Sequence, residues 1–294
     1  MPRVSVIIPT FNYGHFICQA IDSVLNQTFD DLEIIVVDDG SSDDTVARIG
    51  QYGGGRVRLI QQDHRGPSAA RNRAYPETTG EFVAFLDADD LWLPDKLERQ
   101  IPLLEADERV GLVAGAYYLQ IDATGERFER QSPLRGDVLR YVAVENIVSG
   151  SATTALMRRS VLDRVGPMDE SLRACEDWDL WLRIARVSHF AYVDAPIAVL
   201  RRHSGNSSSD GSRMIAGYKR VIERFFSDPT LPPEIKRLRR RAWAVANLTM
   251  GKLAARHGRR SEATKYLARA IWHRPLWADP YVVLARGLIG HPIA

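Results

Sequence analysis

The sequence predicts an α/β fold, a mostly parallel central sheet flanked by helices, followed by a helical extension. Three observations predict it. Short β-branched runs alternate with helical periodicities through the first 86 residues. Each run ends in a polar, often acidic, turn. From Met214 onward only the helical period remains.

The first element is Val4–Ile8, a buried strand that stops at Pro9. Ile17–Asn26 follows with apolar residues at Ile17, Ala20, Ile21, Val24 and Leu25, the period of a helix. Leu32–Val37 is a second buried strand. It runs into Asp38-Asp39-Gly40-Ser41-Ser42, a turn able to cap a helix through Asp43–Ile49. Val57–Ile60 is a third strand, and Ser68–Tyr75 a helix starting on the Gly66-Pro67 turn. Phe82–Leu86 is a fourth strand, ending in an acidic cluster. This alternation implies parallel strands with crossover helices, whose ligands bind beyond the carboxyl ends of the strands. Thr10, Asn12, Asp38, Asp39 and Asp87 to Asp90 should therefore share one crevice.

Residues 110–210 are less regular, with strands at Val110–Tyr118 and Thr153–Arg158 and a helix at Trp178–Ala185. Ser204–Gly211 is a small polar loop that closes this part. The expected organisation is a catalytic domain over 1–210 and a helical extension over 211–294. The former divides into a nucleotide-binding half (1–109) and an acceptor-binding half (110–210). Within the extension, Gly251, Gly258, Ala263, Leu267, Ala270 and Pro275 have the spacing of one tetratricopeptide unit. One unit cannot bury its own face, so it should pack on the catalytic domain, a sister chain or a partner.

Composition narrows the classes. The chain has 294 residues, 45% hydrophobic and 26% charged, as in a globular protein with one large domain and an appendage. Its two cysteines, Cys18 and Cys175, lie far apart, which argues against a thiolate metal site or a disulfide framework and fits the reducing cytoplasm. No apolar run reaches the roughly 20 residues of a membrane span, so a soluble or peripheral protein is expected. Residues 211–294 carry 17 Lys and Arg against 5 Asp and Glu, a net +12, whereas the first 210 carry 22 against 32, a net −10. The basic part invites contact with an anionic membrane, the inner face of the plasma membrane, although a solvated helical face or docking on the acidic part would also account for it. Nucleic acid is a poor partner because no recognition module accompanies the charge.

Five motifs bear on chemistry. Asp87-Ala88-Asp89 follows a strand directly and offers hard carboxylate oxygens, which Mn²⁺ or Mg²⁺ prefers, although a solvated acidic turn has the same pattern. Asp38-Asp39 can accept hydrogen bonds from a nucleobase or ribose, or cap the next helix. Arg71, in a first helical turn, suits phosphate or the surface. Glu176-Asp177-Trp178-Asp179 opens a helix with carboxylates suited to general-base work and a Trp suited to a sugar face, or simply matches the helix dipole. Arg201-Arg202-His203 follows the strand-like Ile197–Leu200 and can meet a diphosphate or complete a metal shell.

The ordered set resembles the family 2 glycosyltransferases. The resemblance runs from Val4-Ser5-Val6-Ile7-Ile8-Pro9-Thr10-Phe11-Asn12 through Asp38-Asp39, Ala70-Arg71-Asn72, Asp87-Ala88-Asp89-Asp90, Gly166-Pro167-Met168-Asp169-Glu170 and Glu176-Asp177-Trp178 to Arg202-His203. It implies the GT-A fold, a Rossmann-like α/β arrangement. It implies an inverting enzyme that moves a sugar from a nucleotide-diphosphate donor to a hydroxyl of a saccharide or lipid-linked acceptor, in surface polysaccharide or glycolipid synthesis. Donor contacts would fall to Pro9, Thr10, Phe11, Asn12, Asp39, Arg71, Asp87 and Ala88, with Phe11 standing where Tyr is commoner. Asp89, with Asp87 and His203, would hold Mn²⁺ or Mg²⁺. Asp177 would be the base, and Glu176 and Trp178 would flank the acceptor. A homodimer is compatible with this class. A sugar-phosphate nucleotidyltransferase is the competing enzyme, although Val6–Gly14 lacks its glycine-rich loop. A non-catalytic scaffold acting through the helical tail is the third reading.

Overall fold

The computed structural model describes residues 1–148, 150–206 and 210–288. In chain order the elements are β1 (Val4–Thr10), α1 (Gly14–Leu25), β2 (Leu32–Asp38), α2 (Thr45–Ile49), β3 (Val57–Gln61), α3 (Pro67–Ala74), β4 (Phe82–Phe85), β5 (Leu91–Trp92), α4 (Lys96–Glu105), β6 (Val110–Ile121), β7 (Arg127–Arg130), α5 (Leu139–Val142), β8 (Leu156–Arg158), α6 (Arg159–Val165), α7 (Glu176–Ala185), β9 (His189–Arg202), α8 (Gly211–Phe226), α9 (Pro233–Lys236), α10 (Arg239–Arg256), α11 (Arg260–His273) and α12 (Ala278–Leu288). They form two compact units. The first comprises residues 1–138, 147–171 and 183–204; the second comprises 139–146, 172–182 and 205–294. The division falls within the expected Ser204–Gly211 loop, of which residues 207–209 lie outside the described residues. The second unit also takes in two earlier segments, one of which carries Asp177.

The first unit is built on a nine-stranded sheet of order β3-β2-β1-β4-β8-β6-β9-β5, with β7 beside β6. The pairs β3/β2, β2/β1 and β1/β4 are parallel, as the alternation of runs and helices requires. Beyond β4 the sheet becomes mixed, since β8 is antiparallel to both β4 and β6. The β-branched residues of β1 and β2 are fully buried, and α1 lays Ile17, Ala20, Ile21 and Val24 on them.

Two boundaries differ from expectation for a physical reason. Strand β1 does not stop at Pro9 but pairs through Thr10, opposite Asp38. Pairing with β4 ends at Ile7 and Phe85, so Pro9 lies past the end of that neighbour and its missing N–H costs no ladder bond. Thr153 falls in a short 3-10 turn, Ala152–Thr154, and the strand begins only at Leu156.

The second unit is helical. Helices α10 and α11, which carry the tetratricopeptide-like spacing, pack as a hairpin. Gly251 lies where a Cβ would come 2.9 Å from the Leu267 side chain, and Gly258 turns the chain at φ +72°. Leu248, Leu267, Ala270 and Val283 make its buried cluster, with Trp277 and Leu284 against it. The hairpin covers its apolar face with α8 and α12 of the same unit.

Candidate active site

In the first unit the loops after β1 and β2 are tied together. Asn12 is in the left-handed region (φ 55°). Its N–H donates to Ser41 Oγ (2.8 Å), and its Oδ1 accepts from the Ser42 N–H (2.8 Å). Asp43 accepts from the N–H groups of Gly14 (3.1 Å) and Thr45 (3.0 Å), so Asp43 serves the start of α2, and neither Asp38 nor Asp39 does. Asp38 instead accepts from the Ser41 N–H within its own turn.

Asp39 is buried and accepts hydrogen bonds from the N–H groups of Arg65 (2.9 Å) and Gly66 (2.7 Å) and from Gln62 Nε2 (2.6 Å). His64 Nδ1 lies 2.9 Å from its second oxygen. The His64 ring stacks on Phe11, centroids 4.0 Å apart at 28°. A half-exposed aromatic pair thus sits beside the buried carboxylate. Nearby, Thr10 Oγ1, Asp38 Oδ1 and Ser68 Oγ are buried with no partner among the described residues. Pro9 and Ala88 are buried in strand and turn.

The acidic cluster after β4 divides its work. Asp87 pairs with Arg71 Nη2 (2.5 Å) and accepts from Ser151 Oγ (2.6 Å). Both oxygens are engaged, and Asp87, an expected metal ligand, also neutralises the buried Arg71 in this geometry. Asp90 is buried and structural, accepting from Thr153 Oγ1 (2.6 Å) and the Arg201 N–H (3.1 Å). Asp89 Oδ2 lies 3.0 Å from His203 Nε2, and the Tyr13 hydroxyl also bonds Asp89. The His203 ring is packed against Phe16 (4.8 Å) and edge-on to Tyr13 (5.9 Å). Burial, then the charge of Asp87, raises the Asp89 pKa, with His203 opposing the rise. Burial and the charges of Asp89 and Asp87 hold the Asp90 carboxyl well above its usual value. Among the described residues no group of three or more His, Cys, Asp or Glu is placed to hold a metal ion. The pair Asp89–His203, with Asp87 beside it, could supply part of a cation's shell. That suits a hard cation taking its other ligands from phosphate oxygens.

In the second unit, Glu176 and Asp177 open α7, where their charge matches the helix N-terminus. Asp177 is half-buried and accepts from Asn146 Nδ2 (3.3 Å) and from the Trp178 N–H (2.7 Å). Cys175, just before, is in the left-handed region (φ 62°). Trp178 does not offer a face to a sugar as expected. It is 1% exposed, its Nε1 donates to the Val142 carbonyl (2.8 Å), and its ring meets Tyr218 of α8 edge-on at 5.6 Å. Trp178, Trp181, Leu182 and Ala185 share the apolar stripe of α7, a spacing that marks a core face.

Several contributors have no local signature in the sequence: Gln62, His64, Asn146, Ser151 and Thr153. Each is an ordinary polar residue that reaches its carboxylate or backbone partner from a distant loop. The non-Gly residues with positive φ among those described are Asn12, Ser151 and Cys175. Asn12 is an expected site residue, Ser151 bonds Asp87 and Cys175 precedes Glu176, the kind of place where backbone strain concentrates.

The family model for glycosyl transferase family 2 matches residues 5–166, more than half of the chain. The chain is a family 2 glycosyltransferase. This sets aside the nucleotidyltransferase and scaffold readings. The match ends before Asp177 and His203. The glycosyltransferase is 33% identical over 189 residues to the UDP-Glc:alpha-D-GlcNAc-diphosphoundecaprenol beta-1,3-glucosyltransferase WfaP of Escherichia coli, covering 63% of this chain and 70% of that one. Its fold is shared with S. aureus TarS 1–349, solved in complex with UDP-GlcNAc (TM-score 0.70, 17% identity, 98% of this chain and 92% of that one). It is shared also with the mannosyltransferase PcManGT from Pyrobaculum calidifontis, solved with GDP-Man and Mn²⁺ (TM-score 0.66, 21% identity, 98% and 80%). These neighbours carry the GT-A fold that the sequence predicts.

Proposed function

We propose that this glycosyltransferase transfers a sugar from a nucleotide-diphosphate donor to a hydroxyl of a lipid-linked or saccharide acceptor, with a divalent cation and with inversion. The carrying observation is the buried Asp89–His203 pair at 3.0 Å, set among carboxylates whose mutual repulsion favours a cation. The Mn²⁺ bound in PcManGT and the lipid-diphosphate acceptor in the name of WfaP support the same reading.

Asp89 and His203 would hold Mn²⁺ or Mg²⁺, which supplies positive charge for the departing diphosphate. Arg71, kept in place by Asp87, adds a fixed positive charge on the donor side. Phe11 gives the nucleobase a stacking face. A base imide reaches Asp39 by replacing the Gln62 or His64 side chain, the two partners not fixed to backbone. Pro9, Thr10, Asn12 and Ala88 shape the wall, and the buried Thr10 hydroxyl offers a hydrogen bond to the nucleotide.

Asp177 acts as the base, oriented by Asn146, with Glu176 beside the acceptor. It takes the proton of the acceptor hydroxyl as that oxygen bonds to the anomeric carbon. The bond from that carbon to the diphosphate breaks on the opposite face, and its electron pair leaves with the nucleotide diphosphate. One displacement turns an α-linked donor into a β-linked product.

Asp89→Ala should weaken calorimetric binding of UDP- or GDP-sugar in the presence of Mn²⁺ at least about tenfold, the scale of one lost charged contact. EDTA should do the same to the wild type. Donor affinity unchanged in both would remove the cation from the proposal.

A further inference from the structure

The junction of α11 and α12 presents bulky apolar side chains to water. Trp272, in the last turn of α11, is 70% exposed, and Leu276, in the connection, is 101% exposed. Neither contributes to the buried cluster of the hairpin, which Leu248, Leu267, Ala270 and Val283 fill. Tyr281 and Val282 continue the exposed apolar surface into α12.

The same end of the unit is basic. Arg240, from the first turn of α10, donates Nη2 to the Trp272 carbonyl (3.0 Å) and holds its guanidinium 5.8 Å from the Trp272 ring centre. Arg274 lies 5.3 Å from the Trp277 ring centre. Arg239 and Arg241 are exposed beside Arg240, and Asp279 supplies the acidic charge of the first turn of α12.

A side chain as exposed as Leu276 stands clear of its own surface. A protein partner would need a socket shaped to it, whereas a bilayer accepts it without one. Trp is favoured at the headgroup level, and arginines beside it suit lipid phosphates. The net +12 of residues 211–294 favours an anionic surface.

We propose that the α11–α12 junction docks on an anionic lipid bilayer, with Trp272 and Leu276 entering the boundary between headgroups and acyl chains and Arg240 and Arg274 pairing with lipid phosphates. The purpose of this contact rests on the proposed lipid-linked acceptor, and the assays separate the two.

The full chain is sedimented with vesicles of phosphatidylcholine alone and of phosphatidylcholine mixed with phosphatidylglycerol. It should pellet with the mixed vesicles and not with the neutral ones. Trp272→Ala with Leu276→Ala should lower partitioning at least roughly a hundredfold, the expected loss of two buried apolar side chains. Arg240→Glu with Arg274→Glu should abolish it. Thermal melts check that the variants fold, and acceptor-independent donor hydrolysis should match wild type in both. The proposal falls if the chain ignores mixed vesicles, or if the Trp272 and Leu276 variant binds them undiminished. It falls equally if that variant dissolves a dimer, which would make a second copy the occupant. Vesicle binding by a wild type that binds neither UDP- nor GDP-sugar would count against the transfer reaction and leave the docking surface standing.

Discussion

Replacing Asp177 by Asn should lower turnover on the order of 10²–10⁴-fold while donor affinity stays within error of wild type. The amide keeps the size of the side chain and can still meet Asn146, but it has no basicity to offer an acceptor hydroxyl. The loss should appear in kcat and kcat/KM alike, because proton removal belongs to the transition state. Steady-state assays with saturating donor, paired with donor calorimetry, read both quantities. Turnover retained in Asp177→Asn would assign the base elsewhere.

The second large effect is expected from a glycine that meets no substrate. A Cβ on Gly217 of α8 would sit 2.6 Å from the carbonyl oxygen of Ala174, in the segment that leads into Asp177. Three more contacts join α8 to that segment: the Tyr218 ring on Trp178, the Arg213 Nε donated to the Arg173 carbonyl, and Arg224 placed 3.9 Å from Asp179. Gly217→Val must push the two apart. We expect a stability loss of about 1–3 kcal/mol, typical of overpacking. We also expect a fall in turnover on the order of 10²-fold from misplacing the base. Donor affinity should not change, since the proposed donor residues belong to the first unit. A parallel fall in donor affinity would show general damage and refute a positioning role for α8.

The first four strands were legible because they are continuous β-branched runs that only a doubly covered parallel sheet can bury. Val4–Thr10 and Leu32–Asp38 needed only small boundary corrections. The tail was legible too, since Gly251 and Gly258 mark a close helix approach and a turn. Strand β5 is two residues long, and the residues of β7 are all exposed, so neither leaves a pattern. Side-chain roles were harder to read. Asp87 and Asp89 are equivalent in an Asp-x-Asp string, and only the arrival of Arg71 and Ser151 at one, and His203 at the other, tells them apart. Trp178 reads as a sugar platform when it is seen as the neighbour of Asp177. Seen as the first member of a stripe through Trp181, Leu182 and Ala185, it reads as core, and α8 makes it so.

The most direct test is a crystal grown with a nucleotide-diphosphate sugar and Mn²⁺, with the ion located by its anomalous scattering. The account predicts a peak bound by Asp89 and His203, and an anomeric carbon whose face opposite the diphosphate looks toward the Asp177 carboxylate. An ion held away from both side chains, or a sugar turned from Asp177, would contradict it.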